Sequence, residues 1–66
     1  MKLILNGKEI TSLKSKTVLE LLKELNIDEK TVVVELNGNI IEAKDYETTP
    51  IKDDDKIEAI SFVGGG

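Results

Sequence analysis

The chain has 66 residues, 13 acidic against 9 basic side chains and a formal net charge of −4. This balance disfavours nucleic acid as a partner, since nucleic-acid binding normally shows as a basic patch, and suits a basic protein partner instead. There is no cysteine and no histidine. Disulfides, thiolate or imidazole metal sites and the commonest catalytic nucleophile and base are therefore excluded together, and we expect neither a catalytic residue nor a metal site.

The first residues do not predict a secretory signal peptide. They lack the apolar segment and cleavage site of a signal peptide, and no apolar run in the chain approaches the length needed to span a bilayer. We expect a cytoplasmic protein that makes no contact with a membrane.

The N-terminal segment predicts a β-hairpin. Residues 2–5 form a short apolar run that is followed by Asn6-Gly7. Asn-Gly between two extended runs favours a tight turn, because both residues tolerate positive φ. Residues 9–13 are the predicted return strand.

The next segment predicts an amphipathic helix over residues 18–25. Thr17 and Glu20 match a capping box at its start, and Asn26 is a suitable stop. The apolar positions recur with the helical period and define one face: Val18, Leu21, Leu22 and Leu25. We expect this stripe, Leu22 included, to be core.

The second half of the chain alternates short strands with turns. Residues 31–36 are β-branched and apolar and predict a buried strand, and the turn at residues 37–39 leads to a brief strand at residues 40–41. The polar stretch 42–50 is expected to be irregular, with Tyr46 as an anchor. Residues 53–55, Asp-Asp-Asp, predict a solvated turn before a last strand at residues 56–63.

The order strand, strand, helix, strand, short strand, strand predicts the fold. It is that of an α+β protein of the ubiquitin-like β-grasp type, a mixed sheet of four to five strands with one main helix packed on one face. We interpret residues 1–63 as a single domain and residues 64–66 as a flexible glycine tail.

The last strand has apolar residues on both of its faces. By period-two geometry, one face takes Ile57, Ala59, Ser61 and Val63, and the opposite face takes Glu58, Ile60 and Phe62. The helix covers only one of these faces. Two interpretations follow. Either both faces are partly packed, or Ile60 and Phe62 form an exposed patch that binds a partner.

The three C-terminal glycines suggest where the chemistry lies. One interpretation is that these glycines are a frayed chain end. The other is that they form a narrow segment that enters the active site of a partner. Three extended residues reach roughly 10 Å, so Gly64 and Gly65 could thread a partner's active site and present the α-carboxylate of Gly66. A carboxylate becomes reactive once it is adenylated, which a partner must do because the chain has no phosphate-binding loop. A sulfur nucleophile could then displace AMP and leave a thiocarboxylate.

Several segments together resemble the ThiS family, the sulfur carriers of thiamine (thiazole) biosynthesis. They are the opening Leu3-Ile4-Leu5-Asn6-Gly7-Lys8, the helix start at residues 17–22, the strand at residues 32–37 and the ending Phe62-Val63-Gly64-Gly65-Gly66. The terminal diglycine after a strand is the specific element. The chain departs from the family in having Asp-Asp-Asp where many members have Asp-Gly-Asp.

The resemblance implies a carrier that serves as co-substrate of other enzymes and binds no cofactor of its own. An E1-like, ThiF-like enzyme would adenylate Gly66 with ATP and Mg. A sulfurtransferase or cysteine desulfurase system would supply the sulfur, and a ThiG-like thiazole synthase would accept it. Gly65 and Gly66 match the family's terminal pair, whereas Gly64 matches only members with a longer glycine tail.

Other functions remain open at this point. The small subunit of molybdopterin synthase shares the fold, the tail and the activation chemistry. A ubiquitin-like modifier would join the same carboxylate to lysines of other proteins. A plain interaction domain would have incidental glycines.

Overall fold

The computed structural model describes residues 1–11 and 14–62. The described part contains five strands and one α-helix, namely β1 (Leu3–Leu5), β2 (Lys8–Ile10), α1 (Val18–Glu24), β3 (Val32–Leu36), β4 (Asn39–Ile41) and β5 (Lys56–Ser61). The strand order in the sheet is β2-β1-β5-β3-β4. β1 and β5 run parallel and the other pairs antiparallel. The predicted mixed sheet with one helix is confirmed.

Both Asn-Gly pairs form the predicted tight turns. Asn6 and Gly7 have φ values of 49° and 84°, and Asn37 and Gly38 have values of 51° and 87°. Two successive residues in the left-handed region connect strands that twist in the native sense, which is why both hairpins close in so few residues. The return strand β2 ends at Ile10, earlier than predicted, and the end of the predicted strand, Leu13, lies outside the described residues.

The start of α1 is capped on two sides. The Thr17 hydroxyl accepts a hydrogen bond from the Glu20 amide at 3.2 Å, as predicted. The Glu20 carboxylate accepts from the amide of Lys16 at 2.8 Å, one residue before the expected partner. The helix ends at Glu24, and Asn26 follows it with a φ of 59°, so the predicted end is correct to within one residue.

The core lies between α1 and one face of the sheet. Leu22 is 1% exposed, which confirms its predicted place in the core. Tyr46 follows a short 3-10 helix (Ala43–Asp45), is itself buried, and its hydroxyl donates to the carbonyl of Val32 at 3.1 Å. It is thus the predicted anchor. The buried apolar side chains are Leu3, Val18, Leu21, Leu22, Val32, Val34, Tyr46, Ile51 and Ile57.

The turn at residues 53–55 is not solvated throughout, so that prediction is wrong for Asp55. This side chain is 4% exposed. Its carboxylate accepts hydrogen bonds from the amide of Lys52 at 2.8 Å and from Nδ2 of Asn37 at 2.9 Å. A buried carboxylate needs such partners. The bond from Lys52 lies within the turn before β5, and the bond from Asn37 joins this turn to the turn after β3.

Candidate docking surface on the last strand

β5 is the central strand of the sheet, so its two faces are set by pairing on both sides. It pairs in parallel with β1 and in antiparallel with β3, where Ile60 stands opposite Val33 and Ala59 opposite Val34. Directly opposed residues point to the same face. Ile57 and Val34 are buried under α1, and Ile60 and Val33 therefore point away from the helix. We call the sheet face opposite α1 the outer face.

The apolar pair of the last strand is exposed on the outer face. Ile60 is 50% exposed, and Phe62, which directly follows β5, is 62% exposed. Of the two interpretations of the last strand, the structure supports the exposed patch rather than packing on both sides. That this patch binds a partner stays a prediction.

The outer face contains further apolar residues that the alternation within β5 did not reveal, among them Ile40 and Val33. Ile40 on β4 is 68% exposed and stands opposite Glu35 of β3. Val33, opposite Ile60, is partly buried. The missing information was the register of three strands, since the alternation within a single strand does not say which residues of its neighbours share a face.

Side-chain and backbone hydrogen bonds hold the C-terminal end of β5. β1 pairs with β5 only as far as Ile57, and the chain then turns away at Asn6. Beyond this point the side-chain amide of Asn6 pairs with β5 in place of β1. The backbone amide of Ala59 donates to Oδ1 of Asn6 at 2.9 Å, and Nδ2 of Asn6 donates to the Ala59 carbonyl at 3.3 Å. On the other side, the amide of Phe62 donates to the carbonyl of Thr31 at 3.0 Å.

The start of β5 is held in a similar way by the second Asn-Gly turn. Oδ1 of Asn37 accepts from the amide of Lys56 at 2.9 Å, while its Nδ2 binds the buried Asp55. Each turn asparagine therefore fixes one part of the last strand. The orientation of Ile60 and Phe62 is a property of the whole sheet and does not depend on the strand alone.

Two ionisable groups have shifted pKa values, and each of them binds a side chain of a neighbouring loop. The hydrogen bond from Ser15 to Glu24 lowers the pKa of that carboxylate, and burial opposes the shift. The hydrogen bond and charge of Asp54 raise the pKa of Lys2, whose Nζ lies 3.2 Å from the Asp54 carboxylate. Neither group belongs to an arrangement suited to catalysis.

The described residues contain no cluster of three or more side chains that could ligate a metal ion. Within the same ranges, no helix is long and apolar enough to cross a membrane. The predicted tail residues Gly64, Gly65 and Gly66 lie outside the described part of the chain, so their predicted role rests on the sequence.

The fold and this surface define a small β-grasp protein whose exposed apolar face immediately precedes the C-terminal residues. The family model of the ThiS family matches residues 3–66. The chain is 40% identical over 63 residues to the sulfur carrier protein ThiS of Bacillus subtilis, which covers 94% of this chain and 96% of that protein. The chain belongs to the ThiS family.

A solved structure and a larger protein are also similar to this chain. The crystal structure of the thiamine biosynthesis protein ThiS from Geobacter metallireducens superposes with a TM-score of 0.84 at 39% identity over the whole of both chains. A thiazole synthase of Paramagnetospirillum magneticum is 42% identical over 66 residues. The match covers 100% of this chain, which spans only 20% of the length of that enzyme.

Proposed function

We propose that this chain is a sulfur carrier of thiamine biosynthesis and that the carrier group is the C-terminal carboxylate of Gly66. The observation on which the proposal rests is the family match over residues 3–66, which includes the terminal glycines. The absence of cysteine and histidine from the sequence agrees with it, because the α-carboxylate is then the most suitable group in the chain on which sulfur could travel.

The chemistry needs three steps, all performed by partners. An oxygen of the Gly66 carboxylate attacks the α-phosphorus of ATP, and pyrophosphate leaves. The terminal sulfur of a persulfide, held by a sulfurtransferase or cysteine desulfurase system, then attacks the acyl carbon, and AMP leaves with the bonding electron pair. A thiol of the partner attacks the donor-side sulfur of the resulting acyl disulfide, so that the S–S bond breaks, the donor keeps a new disulfide and the carrier keeps the other sulfur. The product is a thiocarboxylate. Because the first step consumes ATP with Mg, the proposal assigns an E1-like enzyme as partner and the cytoplasm as the place of reaction.

Thiazole synthase is the proposed sulfur acceptor. The match between this chain and a fifth of a thiazole synthase supports that choice, since a segment similar to this chain occurs in one polypeptide with the enzyme. The relatives reported above favour thiazole synthesis over the small subunit of molybdopterin synthase.

The exposed pair Ile60 and Phe62 is the proposed docking surface for these enzymes. Phe62 stands four positions before Gly66, so a partner that binds the pair holds the carboxylate within about 13 Å along an extended chain. Gly64 and Gly65 are the segment that we propose passes through the partner's channel, because a chain without Cβ atoms is the thinnest available.

Intact-mass spectrometry tests the proposal directly. The chain is incubated with its activating enzyme, MgATP and a sulfur donor, and we expect the mass to rise by the difference between one sulfur and one oxygen atom. The matched control has one alanine added after Gly66 and should show neither this rise nor pyrophosphate exchange. A normal reaction of the extended chain would contradict the proposal, and conjugates to lysines of other proteins would favour a ubiquitin-like modifier.

A further inference from the structure

Two carboxylates face each other across the centre of the outer face. Glu35 of β3 stands directly opposite Glu58 of β5 in the antiparallel register. Both point away from α1, because their strand neighbours Val34 and Ile57 are buried beneath the helix. Opposed residues of an antiparallel pair have Cβ atoms roughly 5 Å apart, so two like charges are held close together.

Nothing in the described part of the chain forms an ion pair with these carboxylates. The ion pair found among residues 1–11 and 14–62 joins Lys2, which directly precedes β1, to Asp54 in the Asp-rich turn. Lys56 shares the face with Glu58 but is not within ion-pair distance of it. Like charges placed directly opposite each other destabilise a sheet, and the free protein therefore keeps a local repulsion that a neutral pair would remove.

The same carboxylates are bordered by apolar side chains. The nearest opposed pair on the same face is Ile60 of β5 with Val33 of β3. On the other side of β3, Ile40 of β4 stands opposite Glu35. Ile40 and Ile60 are at least half exposed. A partner that covers this apolar surface also removes water from the two glutamates, and charges taken out of water need an opposite charge close by.

The charge pattern decides between possible occupants. A second copy of this chain would add a net charge of −4 and further carboxylates, and nucleic acid would add phosphates. A cationic side chain set in an apolar surface complements both features of the outer face. An arginine suits this position especially well, because its planar guanidinium has five donors and is weakly hydrated.

We propose that Glu35 and Glu58 together bind an arginine or lysine of thiazole synthase, within an interface that also covers Ile40 and Ile60. This inference rests on the proposed function and adds to it the residues that recognise the sulfur acceptor. The repulsion in the free chain is then relieved in the complex, so that the two acids contribute to recognition at the expense of stability.

The test compares binding and stability in the same variants. The double variant E35Q/E58Q and the unaltered chain are titrated into thiazole synthase of the source organism by calorimetry at several salt concentrations. We expect the double variant to bind about tenfold more weakly or worse, with a flatter dependence on salt. In urea unfolding it should be as stable as the unaltered chain or more so, because the repulsion is gone.

The matched control is E42Q/E47Q, which removes the same two charges at exposed acids outside the sheet, and it should leave the affinity nearly unchanged. Equal affinity of the double variant and the unaltered chain would overturn this inference alone. A loss of stability that parallels the loss of binding would also overturn it, since the acids would then be structural. If the unaltered chain fails to bind thiazole synthase, the proposed function fails as well.

Discussion

The side chain of Asn6 forms two hydrogen bonds with the backbone of Ala59, 53 residues further along the chain. Its amide presents one donor and one acceptor side by side, the same pair that a neighbouring strand would present. It therefore continues the pairing of β5 beyond the point where β1 has turned away. The turn residue that closes the first hairpin is also a brace for the strand that leads to the proposed docking residues.

Removal of this brace should loosen the end of β5 without opening the turn. In Asn6→Gly the left-handed φ is retained at no steric cost, and the two bonds to Ala59 are lost. We expect a decrease of about 1 kcal/mol in the free energy of unfolding and faster hydrogen exchange at the Ala59 amide. Urea titration and exchange measured by NMR check both.

Asn26→Gly is the matched control for this variant. Asn26 also has a left-handed φ, of 59°, but its side chain has no hydrogen bond to another described residue. The control should therefore leave exchange at Ala59 unaltered. If both variants had the same effect on Ala59, the brace would be an incorrect account and the turn itself would be responsible.

Truncation of the helix stripe should affect the core and nothing else. Leu22→Ala removes a side chain that is 1% exposed and should cost roughly 2–5 kcal/mol of unfolding free energy. The same change at Leu19, which is only partly buried against the core, should cost less. Sulfur transfer by Leu22→Ala should fall only in proportion to the unfolded fraction, so a stable variant that no longer engages its partners would assign Leu22 to an interface.

The lowered pKa of Glu24 predicts a loss of stability in acid. The hydrogen bond from Ser15 is the main cause of the shift, and Ser15 and Lys14 also donate their amides to the same carboxylate. A carboxylate with a folded-state pKa below its usual 4.5 stabilises the protein above that pH and ceases to do so as the pH falls through the folded-state pKa. We therefore expect Glu24→Gln to be less stable than the unaltered chain at neutral pH and equal to it in strong acid.

Two measurements check this assignment. Urea unfolding at neutral and strongly acidic pH should show the difference between the two proteins disappearing in acid. Ser15→Ala, which removes the largest contribution, should raise the pKa of Glu24 when the carboxyl carbon is followed by NMR. A pKa that does not move in Ser15→Ala would show that another group sets it.

Local features of this fold could be predicted because their causes are local. The Asn-Gly pairs determine their own turns through positive φ, and Thr17 caps the helix that begins one residue later. The period of the apolar residues in α1 identified the buried face, including Leu22.

The remaining features depend on contacts between residues that are distant in the sequence. Asp55 was expected in solvent because acidic turn residues usually lie there, but Asn37, 18 positions away, gives it a buried partner. The opposition of Glu35 and Glu58 follows from the register of β3 and β5. Alternation within β5 separated Ile60 and Phe62 from Ile57, and only the packing of α1 showed which set faces outward.

A wider side chain in the glycine tail should impair the reactions with partner enzymes and leave the stability of the fold unchanged. Gly65→Val adds a β-branched side chain to a segment that by itself has no side chains to bury. If the segment passes through a narrow channel, adenylation or sulfur delivery should fall while the melting temperature stays the same. Gly65→Ala is the graded control, with a smaller expected effect. A melting temperature lowered by many degrees would instead indicate that the tail is packed against the domain.

Phe62→Ala tests whether the outer face binds partners. The side chain is 62% exposed, and the hydrogen bond between the Phe62 amide and the Thr31 carbonyl involves only the backbone. The substitution should therefore change the unfolding free energy by no more than about 0.5 kcal/mol. An aromatic at the centre of an interface often contributes about 2 kcal/mol or more, so affinity for the activating enzyme or thiazole synthase should fall about tenfold or further.

Ile57→Ala is the matched control on the opposite face of the same strand. Because Ile57 is 1% exposed, the variant should lose roughly 2–5 kcal/mol of stability and bind normally once folded. Calorimetric titration beside urea unfolding distinguishes the two variants, and unchanged affinity in Phe62→Ala would remove Phe62 from the docking surface.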